Sequence, residues 1–358
     1  MVYKVPTVRE IKESLEKNGP RFEVVSLFAG GGGSSTGYRM AGGKVLAINE
    51  FVPEARNSYA ANWPETFIFP QDVRDLTGAA ILQKIGKQPG ELDILDGSPP
   101  CSAFSTIGSR EKGWGKTKKY SDTKQNSVET LFYEYVRILS ELQPKVFVAE
   151  NVAALAIGKS KGFFNEFFKE FEKAGYIPRA KVLDAKFLGV PQSRNRLIFV
   201  GVRKDLWRDS FNGKTHPAPF KYTVSLNEAL KGVKNTEADL KEVNIERFSI
   251  YKELIKLSPG EQSNKYFSLI KADPRKYAPC MTATAGNLGA ASICHWDNRK
   301  FTIPEIKRLT SIPDDYKLTG TYQQRAERLG RMVPPFMMKA VAENIYKNIL
   351  QVVKDESA

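Results

Sequence analysis

Short apolar segments alternate with amphipathic ones through the first two hundred residues, and this alternation limits the chain to few architectures. The apolar segments are rich in Val, Ile, Leu and Phe, which favours strands, and those between them have helical spacing. Such alternation is typical of an α/β fold, with a Rossmann-like, mostly parallel sheet covered by helices on both faces. The predicted strands are 23–28, 44–49, 92–96, 145–149, 179–184 and 196–202, and the predicted helices are 35–41, 53–61, 78–85, 128–142 and 163–174.

The pattern changes after about residue 205, where Pro, Asn and Lys become frequent and the periodicity weakens. We interpret the chain as a catalytic and cofactor-binding domain over 1–204, a smaller irregular domain over 205–310, and a C-terminal segment over 311–358. That last segment contains a predicted helix over 334–350 with Pro at its start, which we expect to pack back on the first domain. The N-terminal stretch is typical of a short amphipathic helix.

The cysteines and histidines exclude several kinds of site. Cys101, Cys280 and Cys294 are an odd number at wide spacing, which disfavours a disulfide framework and favours a reducing compartment. There is no Cys-x-x-Cys pair and there are only two histidines, so we expect neither a metal site nor a Ser-His triad. The chain has no signal-peptide core and no apolar run long enough for a membrane span. We expect a cytoplasmic protein from a prokaryote or a phage, without a membrane partner.

The formal net charge of +14 suggests a partner that carries phosphates. A solvated basic surface explains the charge equally well. The positions of the basic residues along the chain distinguish the two interpretations. Residues 110–124 contain six Lys or Arg and two acids, and this basic stretch follows closely after Cys101. A cationic loop beside a thiol predicts a polyanionic substrate that closes onto the site.

The segment SLFAGGGGSSTG, residues 26–37, is typical of a strand followed by a glycine-rich turn and a helix. Its spacing matches neither the dinucleotide motif GxGxxG nor the phosphate-binding motif GxxxxGK[ST], which favours a nucleoside cofactor without a pyrophosphate. Glu50 ends the next strand, where an acid commonly binds ribose hydroxyls. We expect the ring of Phe51 to stack on an adenine. We expect the carboxylate of Asp72 to accept a hydrogen bond from the adenine amine. The alternative is a tight turn with ordinary solvated acids.

Cys101 follows two prolines at the end of a predicted strand in DGSPPCSAFS. A free cysteine is often a small buried apolar residue, but the rigid turn and the cationic loop favour a placed nucleophilic thiolate instead. Glu150 ends another strand, where its carboxyl is suited to protonating or hydrogen-bonding a ring nitrogen of a substrate. Arg194 and Arg196 are two residues apart, so they lie on one face and are suited to a substrate carbonyl or phosphate.

The motifs FAGGGG, GSPPCSAFS, AENV, QSRNR and RLGRMVPP, in this order, closely resemble the motif series of the DNA (cytosine-5) methyltransferases. The resemblance extends from about Val24 to Ile349, and PPCxxFS followed by ENV and QxRxR is a highly specific combination. Residues 205–298 stand where that family has its target recognition domain, and 299–316 resemble the segment that closes it. The resemblance implies an S-adenosylmethionine-dependent enzyme that acts on duplex DNA.

The resemblance also implies roles for individual residues. Cys101 would attack C6 of a flipped-out cytosine while Glu150 engages N3 and the exocyclic amine, and Arg194 and Arg196 would hold the base carbonyl. The residues implied in cofactor binding are Phe28, Ala29, Gly30, Gly31, Gly32, Glu50, Phe51, Asp72, Pro100, Arg331 and Val333. Those implied in binding DNA are Ser105, Arg110, Lys112, Thr282, Thr284 and Arg299.

Three positions depart from the family pattern. Ser26 stands where many members have Asp, and Ser102 where many have Gln. Arg331 replaces the Asn that usually follows the glycine of the last motif, close to the cofactor. A cation there is unfavourable beside a sulfonium unless an anion is present. Carboxy-S-adenosylmethionine carries such an anion on the transferred carbon, so carboxymethylation is an alternative. Otherwise Arg331 turns to DNA phosphate, the cofactor's amino-acid carboxylate or solvent.

Functions of other classes compete with this interpretation. A related branch modifies transfer RNA with the same core, although a recognition region of nearly a hundred residues favours duplex DNA. A DNA-binding protein without catalysis would not need Cys101, Glu150 and both arginines, and the glycine spacing disfavours a nicotinamide oxidoreductase. A monomer is the default expectation, and a cognate restriction endonuclease is a candidate partner.

Overall fold

The computed structural model describes residues 3–100, 118–119, 124–125, 130–156 and 161–356. Its strands are β1 (Phe22–Leu27), β2 (Gly43–Asn49), β3 (Phe67–Phe69), β4 (Ile94–Gly97), β5 (Lys118–Lys119), β6 (Lys124–Gln125), β7 (Val146–Val152), β8 (Tyr176–Asp184), β9 (Asn195–Arg203), β10 (Ile270–Lys271) and β11 (Ile293–Cys294).

The α-helices alternate with the strands in the first half of the chain and dominate its end. They are α1 (Val8–Asn18), α2 (Gly33–Met40), α3 (Pro53–Ala60), α4 (Gly78–Ile85), α5 (Leu131–Leu142), α6 (Lys161–Lys173), α7 (Leu226–Ala229), α8 (Glu237–Glu242), α9 (Tyr251–Leu254), α10 (Ile303–Leu309), α11 (Tyr322–Arg331), α12 (Pro335–Ile345) and α13 (Gln351–Glu356).

Seven strands form one sheet in the order β3-β2-β1-β4-β7-β9-β8. Neighbouring strands are parallel except that β9 runs antiparallel to both β7 and β8. The predicted mostly parallel α/β sheet is therefore confirmed, and all six predicted strands are present with ends shifted by a few residues. The three-residue β3 was not predicted, because a segment this short has no measurable periodicity.

Apolar residues on both faces of the sheet are buried, which explains why the strands are nearly continuous runs of Val, Ile and Leu. Successive residues of β1 point to opposite sides: Val24 belongs to the cluster that includes α2 and α12, and Val25 to the one that includes α4, α5 and α6. Covering both faces leaves the carboxyl ends of the parallel strands as the accessible edge for a site.

Several helix boundaries follow from local sequence. Thr7 and Glu10 form a capping box that begins α1, and Thr321 with Gln324 does the same for α11. The helix predicted over 334–350 is present as α12 and continues through a π-helical turn at 346–350 into α13. Alpha-helix α12 packs against α2 on the sheet.

Regular structure is sparse from residue 205 to 302, as the weakened periodicity predicts. The segment has the short helices α7, α8 and α9 and the two-stranded parallel pair β10 and β11. A small separate cluster is formed by Ile245, Ile250, Leu254, Leu269 and Cys294. The boundaries at 204 and 310 stay a prediction. Within the described part of the chain, no helix is long and apolar enough to cross a membrane.

Candidate active site

A cavity of about 320 Å³ lies where β1, β2, β4 and β7 end, the edge at which open α/β sheets bind ligands. Most of the predicted site residues meet in its wall although they come from distant parts of the chain. Those that line it are Phe28, Ala29, Gly30, Gly31, Glu50, Phe51, Pro100, Glu150, Arg194, Arg196, Arg331 and Val333.

The glycine-rich turn after β1 has a left-handed backbone at Phe28 (φ 55°) and at Gly30 (φ 57°). The N–H of Gly30 donates to Oε2 of Glu50 at 2.6 Å, and the N–H of Gly32 donates to the carbonyl of Ala29 at 3.0 Å. A glycine-rich turn before a helix can present its N–H groups to a ligand. These two are used within the protein instead, and they hold the turn against the end of β2.

The opposite wall is formed by the end of α11 and the residues that follow it. A Cβ atom on Gly31 would overlap the Met332 side chain, and one on Gly33 would overlap the carbonyl of Val333. The hydroxyl of Tyr316 donates to the carbonyl of Gly31 at 2.6 Å. Close backbone approach explains why this turn consists of glycines, since side chains here would separate the two walls.

Glu50 is buried, and both oxygens of its carboxylate accept backbone N–H groups. Gly30 donates to Oε2, and Val52 donates to Oε1 at 2.7 Å. Burial raises the pKa of Glu50, against the opposing effect of these hydrogen bonds and of Arg328. Each oxygen keeps a second lone pair for a ligand hydroxyl, so the predicted contact with ribose is compatible with the geometry.

Two residues predicted to bind the cofactor do not line the cavity. Asp72 caps the short 3₁₀ helix 73–75 by accepting from the N–H of Arg74 at 3.1 Å, and its neighbour Val73 lines the cavity instead. Gly32 lies behind the wall, where a Cβ would meet Tyr59 and the hydroxyl of Tyr316. A contact between Asp72 and an adenine amine stays a prediction.

A buried hydrogen-bonded group lies at the bottom of the cavity around Asp96. The hydroxyl of Ser26 donates to Oδ2 of Asp96 at 2.6 Å, and the hydroxyl of Tyr38 donates to Oδ1 at 3.1 Å. Burial raises the pKa of Asp96 to about 7. An Asp at position 26 would face this carboxyl directly, so Ser26 avoids a second buried carboxylate.

Glu150 and Arg196 form an ion pair in the cavity wall, with 2.6 Å between Oε1 and Nε. Residue 196 is opposite Val152 in the antiparallel pairing of β7 and β9, so its side chain reaches the diagonal neighbour Glu150 on the same face. The two-residue spacing of Arg194 and Arg196 brings both into the cavity, but with different partners.

Arg194 connects the start of β9 to the irregular segment around residue 280. Its Nη1 donates to the carbonyl of Met281 at 3.1 Å and to Sγ of Cys280 at 3.7 Å. Burial, followed by the nearby charge of Arg196, lowers the pKa of Arg194 to about 10. Its Nε is buried and has no hydrogen-bond partner within the described chain.

Two arginines of α11 also reach the cavity. Arg331 is bound to Glu327 one turn earlier in the helix, with 2.9 Å between Nε and Oε1. Arg328 is buried, and both its Nε and its Nη2 lack a hydrogen-bond partner among the described residues. The predicted residue Arg331 therefore has a carboxylate partner. Arg328, which was not predicted from the sequence, has none within hydrogen-bond distance in the described ranges.

The residues predicted to contact DNA fall into three groups. Thr282 and Thr284 are exposed and share a hydrogen bond of 2.8 Å. Thr282 directly precedes the 3₁₀ turn Ala283–Gly286, which contains Thr284 and packs on α11. Arg299 binds the buried carboxylate of Glu305 through both Nη atoms at 2.8 Å, a geometry that favours a structural role. Cys101, with Ser102, Ser105, Arg110 and Lys112, lies outside the described residues.

A second cavity, of about 570 Å³, adjoins the first at Arg196, which lines both. It lies between the start of β9 and residues 260–280. Lys271, Lys276 and Tyr277 also contribute to its wall. Basic and aromatic side chains in a cleft beside the first cavity are suited to a nucleic-acid backbone.

Two cavity residues missed by the sequence analysis had signals in the chain. Asp96 is the first residue of the quoted DGSPPC motif and lies near the end of the apolar strand β4. Arg328 stands three residues before Arg331, a spacing that puts both on the same side of a helix. Their burial depends on contacts across the whole chain, which no local pattern contains.

The chain is related to known proteins over most of its length. The family profile of the C-5 cytosine-specific DNA methylases matches residues 22–347. Type II methyltransferase M1.HphI of Haemophilus parahaemolyticus is 32% identical and aligns over 90% of this chain and 86% of its own length. Type II methyltransferase M.SacI of Streptomyces achromogenes is 27% identical and aligns over 91% of this chain and 93% of its own length.

A solved structure shares the fold. It is described as a DNA modification methyltransferase encoded within a prophage of E. coli. It superimposes with a TM-score of 0.71 at 23% identity, covering 92% of this chain and 99% of that one. The seven-stranded sheet therefore has the class I methyltransferase fold, and the enzyme class expected from the motifs is confirmed. This chain belongs to the C-5 cytosine-specific DNA methylases.

Proposed function

We propose that the protein transfers a methyl group from S-adenosylmethionine to C5 of a flipped-out cytosine in duplex DNA, through a covalent bond between Cys101 and C6. The convergence of Pro100, Glu150, Arg194 and Arg196 with the glycine turn in one cavity carries this proposal. Pro100 lies in the wall of that cavity, and the next residue in the chain is Cys101.

The residues present suit an adenosyl cofactor. Phe28 and Phe51 provide apolar surface, and Glu50 offers carboxylate lone pairs to hydroxyl groups. The glycines let the turn approach Met332 and Val333 closely, and the unpartnered donors of Arg328 suit an anionic group. S-adenosylmethionine supplies an electrophilic methyl group on a sulfonium when it is bound.

The roles of the protein groups follow from their positions. The Cys101 thiolate adds to C6, while Glu150 hydrogen-bonds or protonates N3 and accepts from the exocyclic amine, so that electron density moves to C5. After methylation, loss of the C5 proton restores the C5–C6 double bond and expels Cys101 as a thiolate. Arg196 holds the Glu150 carboxylate in place, and Arg194 is available to the base carbonyl.

Recognition of DNA is assigned to residues 205–310 as the target recognition domain. The second cavity, with Lys271, Lys276 and Tyr277, supports this because it opens beside Arg196 at the catalytic cavity. The net charge of +14 favours a polyanion. By analogy with the type II relatives, we assign the protein to a restriction-modification system, acting as a monomer with a cognate endonuclease.

Nucleoside mass spectrometry of duplex DNA incubated with the purified protein and S-adenosylmethionine tests the proposal. We expect 5-methylcytosine with the wild-type protein and none with Cys101→Ala. Transfer RNA is the parallel substrate, because a related branch of this fold modifies it. If 5-methylcytidine forms in RNA and none forms in DNA, the assignment to duplex DNA is wrong. If neither substrate is modified, the catalytic proposal is wrong.

A second candidate function is carboxymethylation of the same cytosine with carboxy-S-adenosylmethionine as donor. The observation in its favour is the basic cavity wall, to which Arg328 and Arg331 both contribute from α11. Competition between the two donors, read as 5-methylcytosine against 5-carboxymethylcytosine, separates the functions. In the carboxymethyl case, Arg331→Asn shifts the preference toward the plain methyl donor. An unchanged preference rules out Arg331 as the residue that selects the donor.

A further inference from the structure

Arg328 differs from the other arginines of the cavity in having a buried guanidinium without an acceptor. It is 3% exposed, and its Nε and Nη2 atoms are inaccessible and unpartnered within the described chain. By contrast, Arg196 pairs with Glu150, Arg331 pairs with Glu327, and Arg194 donates to a backbone carbonyl. A buried guanidinium without an acceptor is unfavourable unless a ligand supplies one.

The position of Arg328 shows which part of the cavity such a ligand would occupy. A Cβ on Gly31 would lie 2.7 Å from Cγ of Arg328, so the stem of the side chain crosses the glycine turn. The side chain of Arg328 is therefore held at the glycine turn, which is the cofactor end of the cavity.

Glu50 is near enough for its charge to matter but does not pair with Arg328. The positive charge of Arg328 lowers the pKa of Glu50, although burial, which raises it, is the larger effect. The Glu50 carboxylate accepts from Gly30 and Val52, and no ion pair within 4.0 Å joins it to Arg328 among the described residues. The guanidinium keeps its donors for another acceptor.

We propose that Arg328 is the carboxylate-binding residue of the cofactor cavity, an inference that rests on the proposed function. Arg328 lines the cavity, and a hydrogen bond between a guanidinium and a carboxylate is about twice as strong as one between neutral groups. Two carboxylates are chemically available: the amino-acid carboxylate of S-adenosylmethionine, and the carboxylate on the transferred carbon of carboxy-S-adenosylmethionine. Arg328 precedes Arg331 by three residues and, unlike it, has no ion-pair partner within the described part of the chain.

Binding calorimetry with ligands that differ by one carboxylate tests the inference without turnover. The probes are S-adenosylmethionine, its decarboxylated analogue and carboxy-S-adenosylmethionine. Arg328→Gln should lower the affinity for S-adenosylmethionine roughly 10- to 100-fold, the effect typical of losing hydrogen bonds between charged groups. The affinity for the decarboxylated analogue should not change. Arg325→Gln is the matched control, since Arg325 lies on the same helix and pairs with Glu242 outside the cavity.

The affinity for the third probe, carboxy-S-adenosylmethionine, shows which of the two carboxylates Arg328 binds. If Arg328→Gln weakens carboxy-S-adenosylmethionine more than S-adenosylmethionine, the carboxylate on the transferred carbon is bound. If it weakens both equally, the amino-acid carboxylate is bound. Equal weakening of the decarboxylated analogue, or no weakening of any probe, would overturn the inference. Failure of the wild-type protein to bind any of the probes would instead refute the cofactor assignment on which the inference rests.

A measurement without ligand distinguishes a binding role from a structural one. Since the unpartnered charge is unfavourable in the free protein, Arg328→Gln should melt at the same temperature as the wild type or higher. A clear loss of stability without ligand, together with uniformly weaker binding of all three probes, would mean that Arg328 supports the fold.

Discussion

The carboxylate of Glu150 and the guanidinium of Arg196 are 2.6 Å apart across two antiparallel strands, in the wall of the cavity that Pro100 also lines. This pair joins two motifs separated by more than forty residues in the chain. Arg196 binds one oxygen of the carboxylate, so the second oxygen and the remaining lone pair of the first are suited to a cytosine ring nitrogen and amine.

Replacing Glu150 by Gln should lower the rate of cytosine modification by about 100-fold or more, the range typical of losing a general acid or base. The cause is that an amide cannot deliver a proton to N3. Cofactor binding should not change, because Glu150 is at the base end of the cavity. Single-turnover methylation together with calorimetry measures both quantities. Glu170→Gln, a change on the surface of α6, is the control. A normal rate in Glu150→Gln would contradict the assigned role.

The stability of the protein should fall as the pH rises from about 4 to 7 because of Asp96. Burial raises the pKa of Asp96 to about 7 in the folded protein, whereas an unfolded Asp loses its proton near pH 4. Between these values the unfolded state binds fewer protons, so deprotonation favours unfolding. Asp96→Asn should therefore gain stability relative to the wild type as the pH rises, by about 2–3 kcal/mol between pH 5 and pH 8. The free energy of unfolding in urea measures this for both proteins. If it depends on pH in the same way in Asp96→Asn and in the wild type, Asp96 does not cause the loss of stability.

Gly33→Ala should destabilise the protein by about 1–3 kcal/mol, as is usual for overpacking. The added Cβ would overlap the backbone carbonyl of Val333, which cannot move as a flexible side chain can. Gly162→Ala is the matched control, because nothing lies within 4 Å of its added Cβ. Alanine is also the better residue in a helix, so this control should be neutral or slightly stabilising. Equal thermal stability of the two variants would argue against close packing of the two walls.

Arg299→Gln should destabilise the protein by about 3 kcal/mol, the lower end of the cost of leaving a buried charge unpaired. The charge left behind is Glu305, whose side chain is 4% exposed. Introducing Glu305→Gln into the Arg299→Gln variant should restore part of the loss, because it removes that charge. Urea unfolding measures each variant. Weaker DNA binding with unchanged stability would instead support the DNA contact expected from the sequence.

The elements of the sheet were predictable because their patterns are local. Apolar strands such as β1 and β4 are recognisable from a few consecutive residues. The placement of Glu50 and Glu150 at strand ends brings them to one edge in any parallel sheet. Both line the cavity.

The contacts within the site were less predictable because they join residues far apart in the chain. Ser26 donates to Asp96 across 70 positions, and Tyr316 donates to Gly31 across 285. The orphaned donors of Arg328 arise only because α11 lies against the glycine turn. The partner of Arg299 likewise depends on the burial of Glu305, whereas Glu327 stands four residues before Arg331, a pairing that helical spacing does predict.

Covalent trapping on 5-fluorocytosine tests the central claim most directly. Fluorine at C5 cannot leave as the proton does, so an enzyme that attacks C6 stays bound to the base after methyl transfer. Long duplex DNA that contains 5-fluorodeoxycytidine avoids the need to know the target sequence. With S-adenosylmethionine, we predict a covalent complex whose digested adduct maps to Cys101 by peptide mass spectrometry. The complex should be absent in Cys101→Ser. No adduct, or an adduct on another residue, would contradict the account.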